Sequence, residues 1–115
     1  MKIDNELLNR LLVFRDERDW KQFHTPKNLS AALSTEAAEL LEKFQWATDA
    51  ELTDLVVRER EEIENEIADI AILLTYLCHD LNVSLPDVML RKLDLNAKKY
   101  PVEKARGTAA KYDRL

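Results

Sequence analysis

Residues 34–46 read STEAAELLEKFQW and residues 64–69 read ENEIAD. Each stretch carries two carboxylates three positions apart, Glu36 with Glu39 and Glu66 with Asp69. On an α-helix such residues lie roughly 60° apart around the axis and one turn displaced, so each pair aims at one spot. Asp69 is followed by Ile70, Ala71, Ile72, Leu73 and Leu74. Ionised carboxylates beside so apolar a run are costly to bury unless a cation or hydrogen bonds compensate them. Four acids facing one another therefore predict a site for a hard divalent cation, with Mg²⁺ the first choice.

Working outward, the apolar residues recur with helical period. Leu7, Leu8, Leu11, Leu12 and Phe14 give a first helix from an Asp4 cap to about residue 20. A polar loop, His24-Thr25-Pro26-Lys27-Asn28, is read with Pro26 as the break. A second helix over 29–46 is carried by Leu29, Leu33, Ala37, Leu40, Leu41 and Phe44. A third, capped by Thr53 or Asp54, runs to about residue 80. Ser84 and Asp87, with Pro86 between them, mark the start of a fourth over 85–99. Pro101 and Gly107 then break the chain into an irregular tail. One Gly and three Pro in 115 residues are too few for the turns of a many-stranded β fold. The expected fold is all-α, a bundle of four main helices forming a single domain over 1–115.

The second half of the third helix is apolar on nearly every side. So small a protomer cannot cover all of that surface, which predicts an oligomer. A single Cys, Cys78, excludes an internal disulfide and fits a cytoplasmic protein, with the thiol as a small core residue. No leader is evident, and the apolar run over 70–77 is too short to span a bilayer. A net charge of −5 argues against nucleic-acid binding, so neither a nucleic acid nor a membrane is expected as partner. From Arg91 onward, however, eight Lys or Arg stand against three acids. An acidic centre and a basic tail suit a metal-bound phosphate ligand, although such runs are commonly just solvated.

With 22 acids, some pairs three apart arise by chance, as Glu39 with Glu42 and Glu59 with Glu62 illustrate. Position separates the two pairs of interest from these. Ala37 and Ala38 let another helix approach Glu36 and Glu39, and Asp69 lies where the charged part of the third helix meets the apolar part. Without a cation the clustered acids would repel, and some would have raised pKa values. A di-iron bundle needs Glu-x-x-His from two helices, but neither His24 nor His79 follows a Glu by three. Zinc would call for Cys and His ligands that are missing.

Glu36-x-x-Glu39, a gap of 26 residues and Glu66-x-x-Asp69 together resemble the metal signature of the MazG-like all-α nucleoside triphosphate pyrophosphohydrolases. ERDWKQFHTPKNL over 17–29, FQW over 44–46 and RKLDLNAKKYP over 91–101 extend the resemblance to the dCTP pyrophosphatase subgroup. The resemblance implies Mg²⁺-dependent hydrolysis of nucleoside triphosphates, dCTP favoured, to a monophosphate and pyrophosphate, with Mn²⁺ as a substitute metal. It implies that Glu36, Glu39, Glu66 and Asp69 hold the metal and carry catalysis. Trp20, His24 and Trp46 would line the base pocket, and Lys92, Asn96 and Tyr100 would bind substrate on one helix face, Lys92 meeting a phosphate and Asn96 a phosphate or an acid. It also implies a homotetramer, a dimer of dimers in which neighbouring subunits complete the pocket. Two positions depart from the subgroup, Leu73 where it has Tyr and Leu11 where it has His. These leave the metal chemistry untouched and loosen the implication for base and sugar selection. A non-catalytic helical interaction or nucleotide-sensing module would explain the amphipathic helices as well; a bare interaction module would not need the four acids to converge.

Overall fold

The structure, a computed structural model, describes residues 4–115. Among these there is no strand, and six α-helices form: α1 (Asn5–Glu17), α2 (Pro26–Phe44), α3 (Leu52–Arg58), α4 (Arg60–Asp80), α5 (Leu85–Lys99) and α6 (Val102–Ala105). They fall into two compact units, 4–82 with α1 to α4, and 83–115 with α5 and α6.

In the first unit, Asp4 caps α1 as expected, its side chain accepting from the Leu7 N–H at 2.8 Å. The helix stops at Glu17, short of the expected residue 20, because Asp19 turns left-handed at φ 53°. A 3₁₀ turn, Lys21–Phe23, then leads into α2. Pro26 is not the loop break that the sequence suggests. It opens α2, behind a Thr25 cap that accepts from the Asn28 N–H at 3.1 Å. Proline's missing N–H is harmless there, since the first N–H groups of a helix have no intrahelical partner.

The expected third helix is divided, and with the short α6 in the tail this corrects four main helices to six. α3 ends at Arg58 and α4 begins at Arg60, with Glu59 between them at φ −108°, ψ 26°. No Gly or Pro marks the place. The bend lets Leu55 and Ile63, 8% and 7% exposed, both reach the interior. Neither Thr53 nor Asp54 caps; a 3₁₀ turn, Asp49–Glu51, precedes α3, with Thr48 Oγ1 donating to Glu51 at 2.9 Å.

The most extensive helix contact is α2 against α4, and α1 and α3 also pack on α4. Leu29, 1% exposed, anchors α2 in this interior, a burial worth about 2–3 kcal/mol. Lys43 reaches from α2 to Glu62 on α4 at 3.2 Å, too exposed a pair to matter much for stability. Cys78 is half-buried, and burial pushes its thiol up, in keeping with a packing role. The apolar side chains are far from fully covered: Leu41 is 58% and Ile67 52% exposed.

In the second unit α5 has the expected bounds, although Ser84 occupies the cap position without a side-chain hydrogen bond. The tail is less irregular than expected. It forms α6, turns at Gly107 with φ 77°, and ends in a 3₁₀ turn, Tyr112–Arg114. Tyr112 meets Tyr100 edge-on at 6.2 Å, and the Lys99 ammonium lies 4.8 Å from its ring centre.

Candidate metal and nucleotide site

The packing of α2 on α4 brings the acidic motifs together. Glu36, Glu39 and Glu66 each present a carboxylate oxygen to a common point, all within 4.8 Å of one another. The spacing of three turns Glu36 and Glu39 to the same side of α2, and α4 supplies Glu66. Glu36 Oε2 and Glu66 Oε2 are buried and have no hydrogen-bond partner. Buried oxygens of this kind ordinarily find a donor. Glu36 is pushed up from an ordinary 4.5 to about 7. The largest cause is the facing Glu66 carboxylate, which favours a proton on Glu36; burial and Glu39 add to it. Three oxygen ligands and two orphaned oxygens fit a hard divalent cation, which would replace the proton.

Asp69 is not part of that trio. It is exposed and, with Glu36, lines an adjoining cavity of about 570 Å³. Leu7, Leu11, Ile72 and Leu73 form its apolar wall. Trp20, His24 and Tyr76 supply its aromatic part. The two departures from the subgroup, Leu11 and Leu73, thus both face this space. Tyr76 does not free a hydroxyl in place of the missing Tyr, because it donates to the Leu11 carbonyl at 2.6 Å. Trp46 lies just beyond α2, 86% exposed, and is not among the residues lining the cavity. Lys92, Asn96 and Tyr100 belong to the second unit. Residues four apart share one helix face, which sets Lys92 and Asn96 together on α5 with Tyr100 just past its end.

A second depression, on the Glu39 and Glu66 side, is lined by Glu42, Lys43 and Glu59. Glu42 and Glu59 belong to the pairs that sequence statistics dismiss as chance, yet they border the cluster. The sequence reading also passes over Arg15 and Asp80. Arg15 is 1% exposed and makes two 2.8 Å hydrogen bonds to Asp80. Its signal was available: Leu8, Leu11, Leu12 and Arg15 follow one helical stripe, and an arginine on an apolar stripe calls for a buried partner.

The packing of α2 on α4 thus converges three carboxylates beside an apolar, aromatic cavity. Residues 31–115 match the MazG-like family, and the chain belongs to it. It is 43% identical over 104 residues to dCTP pyrophosphatase 1 of Homo sapiens, and 45% identical to that of Bos taurus. Both alignments cover 89% of this chain. The chain spans about three fifths of the length of these relatives, 61% and 62%. A crystal structure of a pyrophosphatase from Archaeoglobus fulgidus superposes with a TM-score of 0.80 at 42% identity, covering 87% of this chain and 99% of that one. No single helix among the described residues is long and apolar enough to cross a membrane.

Proposed function

We propose that this protein is a Mg²⁺-dependent pyrophosphohydrolase of deoxynucleoside triphosphates, with dCTP favoured and Mn²⁺ an alternative metal. One observation carries the reading: Glu36 belongs both to the carboxylate cluster and to the wall of the aromatic cavity. A base in the cavity and a phosphate chain at the cluster would therefore belong to one molecule. A triphosphate and three carboxylates repel, so the phosphates can occupy that place only with a divalent cation. When bound, the cation supplies Lewis-acid polarisation of phosphorus and lowers the pKa of a water ligand.

In this reading Glu36, Glu39 and Glu66 hold the metal. Asp69, exposed at the cavity rim, serves as a further ligand or accepts the proton of the attacking water. Hydrolysis between the α and β phosphates releases a monophosphate and pyrophosphate. Trp20 and His24 contact the base, and Lys92 and Asn96 offer charge and hydrogen bonds to phosphate. Trp46, exposed and away from the cavity of its own chain, is suited to stack on a base bound by a neighbouring subunit. The exposed Leu41 and Ile67 support burial against other copies, and we take the assembly to be a homotetramer in the cytoplasm. Residues 1–115 are taken as a single domain.

The test is a panel of NTPs and dNTPs with Mg²⁺, products resolved as pyrophosphate or orthophosphate. dCTP should turn over fastest and release pyrophosphate. Orthophosphate as the first product would refute the bond assignment, and full activity in EDTA would refute the metal. Nucleotide binding without turnover would make the protein a sensor.

A further inference from the structure

Arg15 is the most deeply buried charge described, and the proposed reaction does not use it. Its Nη1 donates to Asp80 Oδ2 and its Nη2 to Asp80 Oδ1, both at 2.8 Å. The guanidinium also lies 4.7 Å from the Tyr76 ring centre. These contacts leave it no freedom to turn. Nη1 has a second proton, and Nη1 itself lies 3.5 Å from His24 Nδ1. The imidazole is itself packed on Tyr76, with ring centres 5.4 Å apart. A guanidinium has only N–H groups to offer and never accepts. A proton on Nδ1 would point at another proton on a cation, so Nδ1 must present its lone pair there.

We propose that the buried Arg15–Asp80 pair fixes the tautomer of His24, keeping the ring neutral with its proton on Nε2, so that the cavity offers a permanent hydrogen-bond donor to an acceptor atom of a nucleobase. Burial, and then the Arg15 cation, both disfavour the charged imidazolium, and outweigh the opposite pull of Asp80. His24 lines the cavity, and Nε2 is the ring nitrogen that Arg15 does not engage. The consequence is chemical. A fixed donor reads O2 or N3 of a pyrimidine and cannot read the exocyclic amine of cytosine, which is itself a donor. Arg15 is then a positioning residue, acting through His24. The identity of the occupant rests on the nucleotide reading above, whereas the tautomer does not.

Two measurements test this separately. The first needs neither metal nor substrate: imidazole ¹⁵N spectra of the intact protein at neutral pH. His24 and His79 are the two histidines, and the exposed His79 is assigned with the His79→Gln variant. His24 should show a protonated Nε2 and an unprotonated Nδ1. Arg15→Gln should populate the Nδ1–H or doubly protonated ring, because a glutamine amide accepts as well as donates and Asp80 loses its cation. A wild-type His24 protonated on Nδ1 overturns the proposal without reference to any variant, as does an Arg15→Gln protein with an unchanged tautomer. The second compares dCTP with the analogue that lacks the 4-amino group. His24→Ala should raise KM for both by the same factor, about tenfold for one lost hydrogen bond in a partly desolvated site. A loss confined to dCTP would mean that His24 reads the amine, and would overturn the base-edge assignment.

Discussion

Replacing Glu66 by Gln should change the proton chemistry of the cluster before it changes anything else. Glu66 is the largest cause of the Glu36 shift, from an ordinary 4.5 to about 7. A Gln amide can donate to Glu36 and so favours its ionised form. The Glu36 midpoint should fall from about 7 toward the ordinary range, and further than it falls in Glu39→Gln. Stability follows with a defined sign. In the wild-type protein without metal, the folded state keeps a proton on Glu36 between pH 4.5 and about 7, where the unfolded chain has released it. The folded state binds more protons, so the stability of the metal-free protein falls as pH rises through that window. Glu66→Gln should flatten this slope. Mg²⁺ acts in the opposite direction, since it displaces the proton. At a hundred times its dissociation constant it should add about 2.7 kcal/mol to the wild type, near 10 °C in Tm at about 4 °C per kcal/mol. The variant, short of one ligand charge, should lose most of that gain. The assays are ¹³C titration of the glutamate carboxyls in metal-free buffer and thermal melts from pH 4.5 to 8 with and without Mg²⁺. A wild-type Glu36 that titrates in the ordinary carboxylate range, or a Glu36 midpoint unmoved by Glu66→Gln, would refute the reasoning.

Glu39→Gln and Asp69→Asn should each abolish turnover of dCTP without loss of helical circular dichroism; measurable activity in Asp69→Asn would reduce that exposed residue to a bystander. Trp46→Ala should weaken nucleotide binding by about 1–3 kcal/mol, the range for base–aromatic stacking, and unchanged affinity and dNTP ranking would remove Trp46 from the pocket. Leu29→Ala should destabilise the fold by about 2–5 kcal/mol in denaturant melts, because the α2–α4 interior has little else to close over the void. Light scattering at micromolar concentration should give a mass well above one 13.4 kDa chain, and an active monomer would contradict the shared-pocket assembly.

How the site is made was partly legible beforehand. The 3.6-residue period and the scarcity of Gly and Pro were enough for an all-α chain, because those signals are local. The spacing of Glu36 and Glu39 was enough to put both on one side of α2, for the same reason. α5 came out with its expected ends, since proline and the polar residues around it act on the backbone within a turn. Where the reading failed, the deciding force came from elsewhere in the chain. Nothing at Glu59 breaks a helix locally; the division of α3 from α4 is set by where Leu55 and Ile63 can both be buried. Pro26 reads equally well as a break or a first turn, and the Thr25 cap that decides depends on the path from the left-handed Asp19 onward.

The amino-acid sequence by itself determined the helices, the acidic faces and the presence of a residue set suited to a divalent cation. Only the tertiary structure decided which carboxylates meet. Helical spacing treats Glu66 and Asp69 alike, but the packing of α4 on α2 brings Glu66 into the cluster and leaves Asp69 on the rim of the cavity. The same holds for Arg15, Asp80 and His24. They stand 65 and 9 residues from one another along the chain, measured from Arg15. Their alignment exists only because α1 packs on α4 and the short turn after α1 brings His24 back beside it. Local periodicity can say which face a side chain occupies, whereas the partner it meets across a helix interface is fixed by packing, which no single segment encodes.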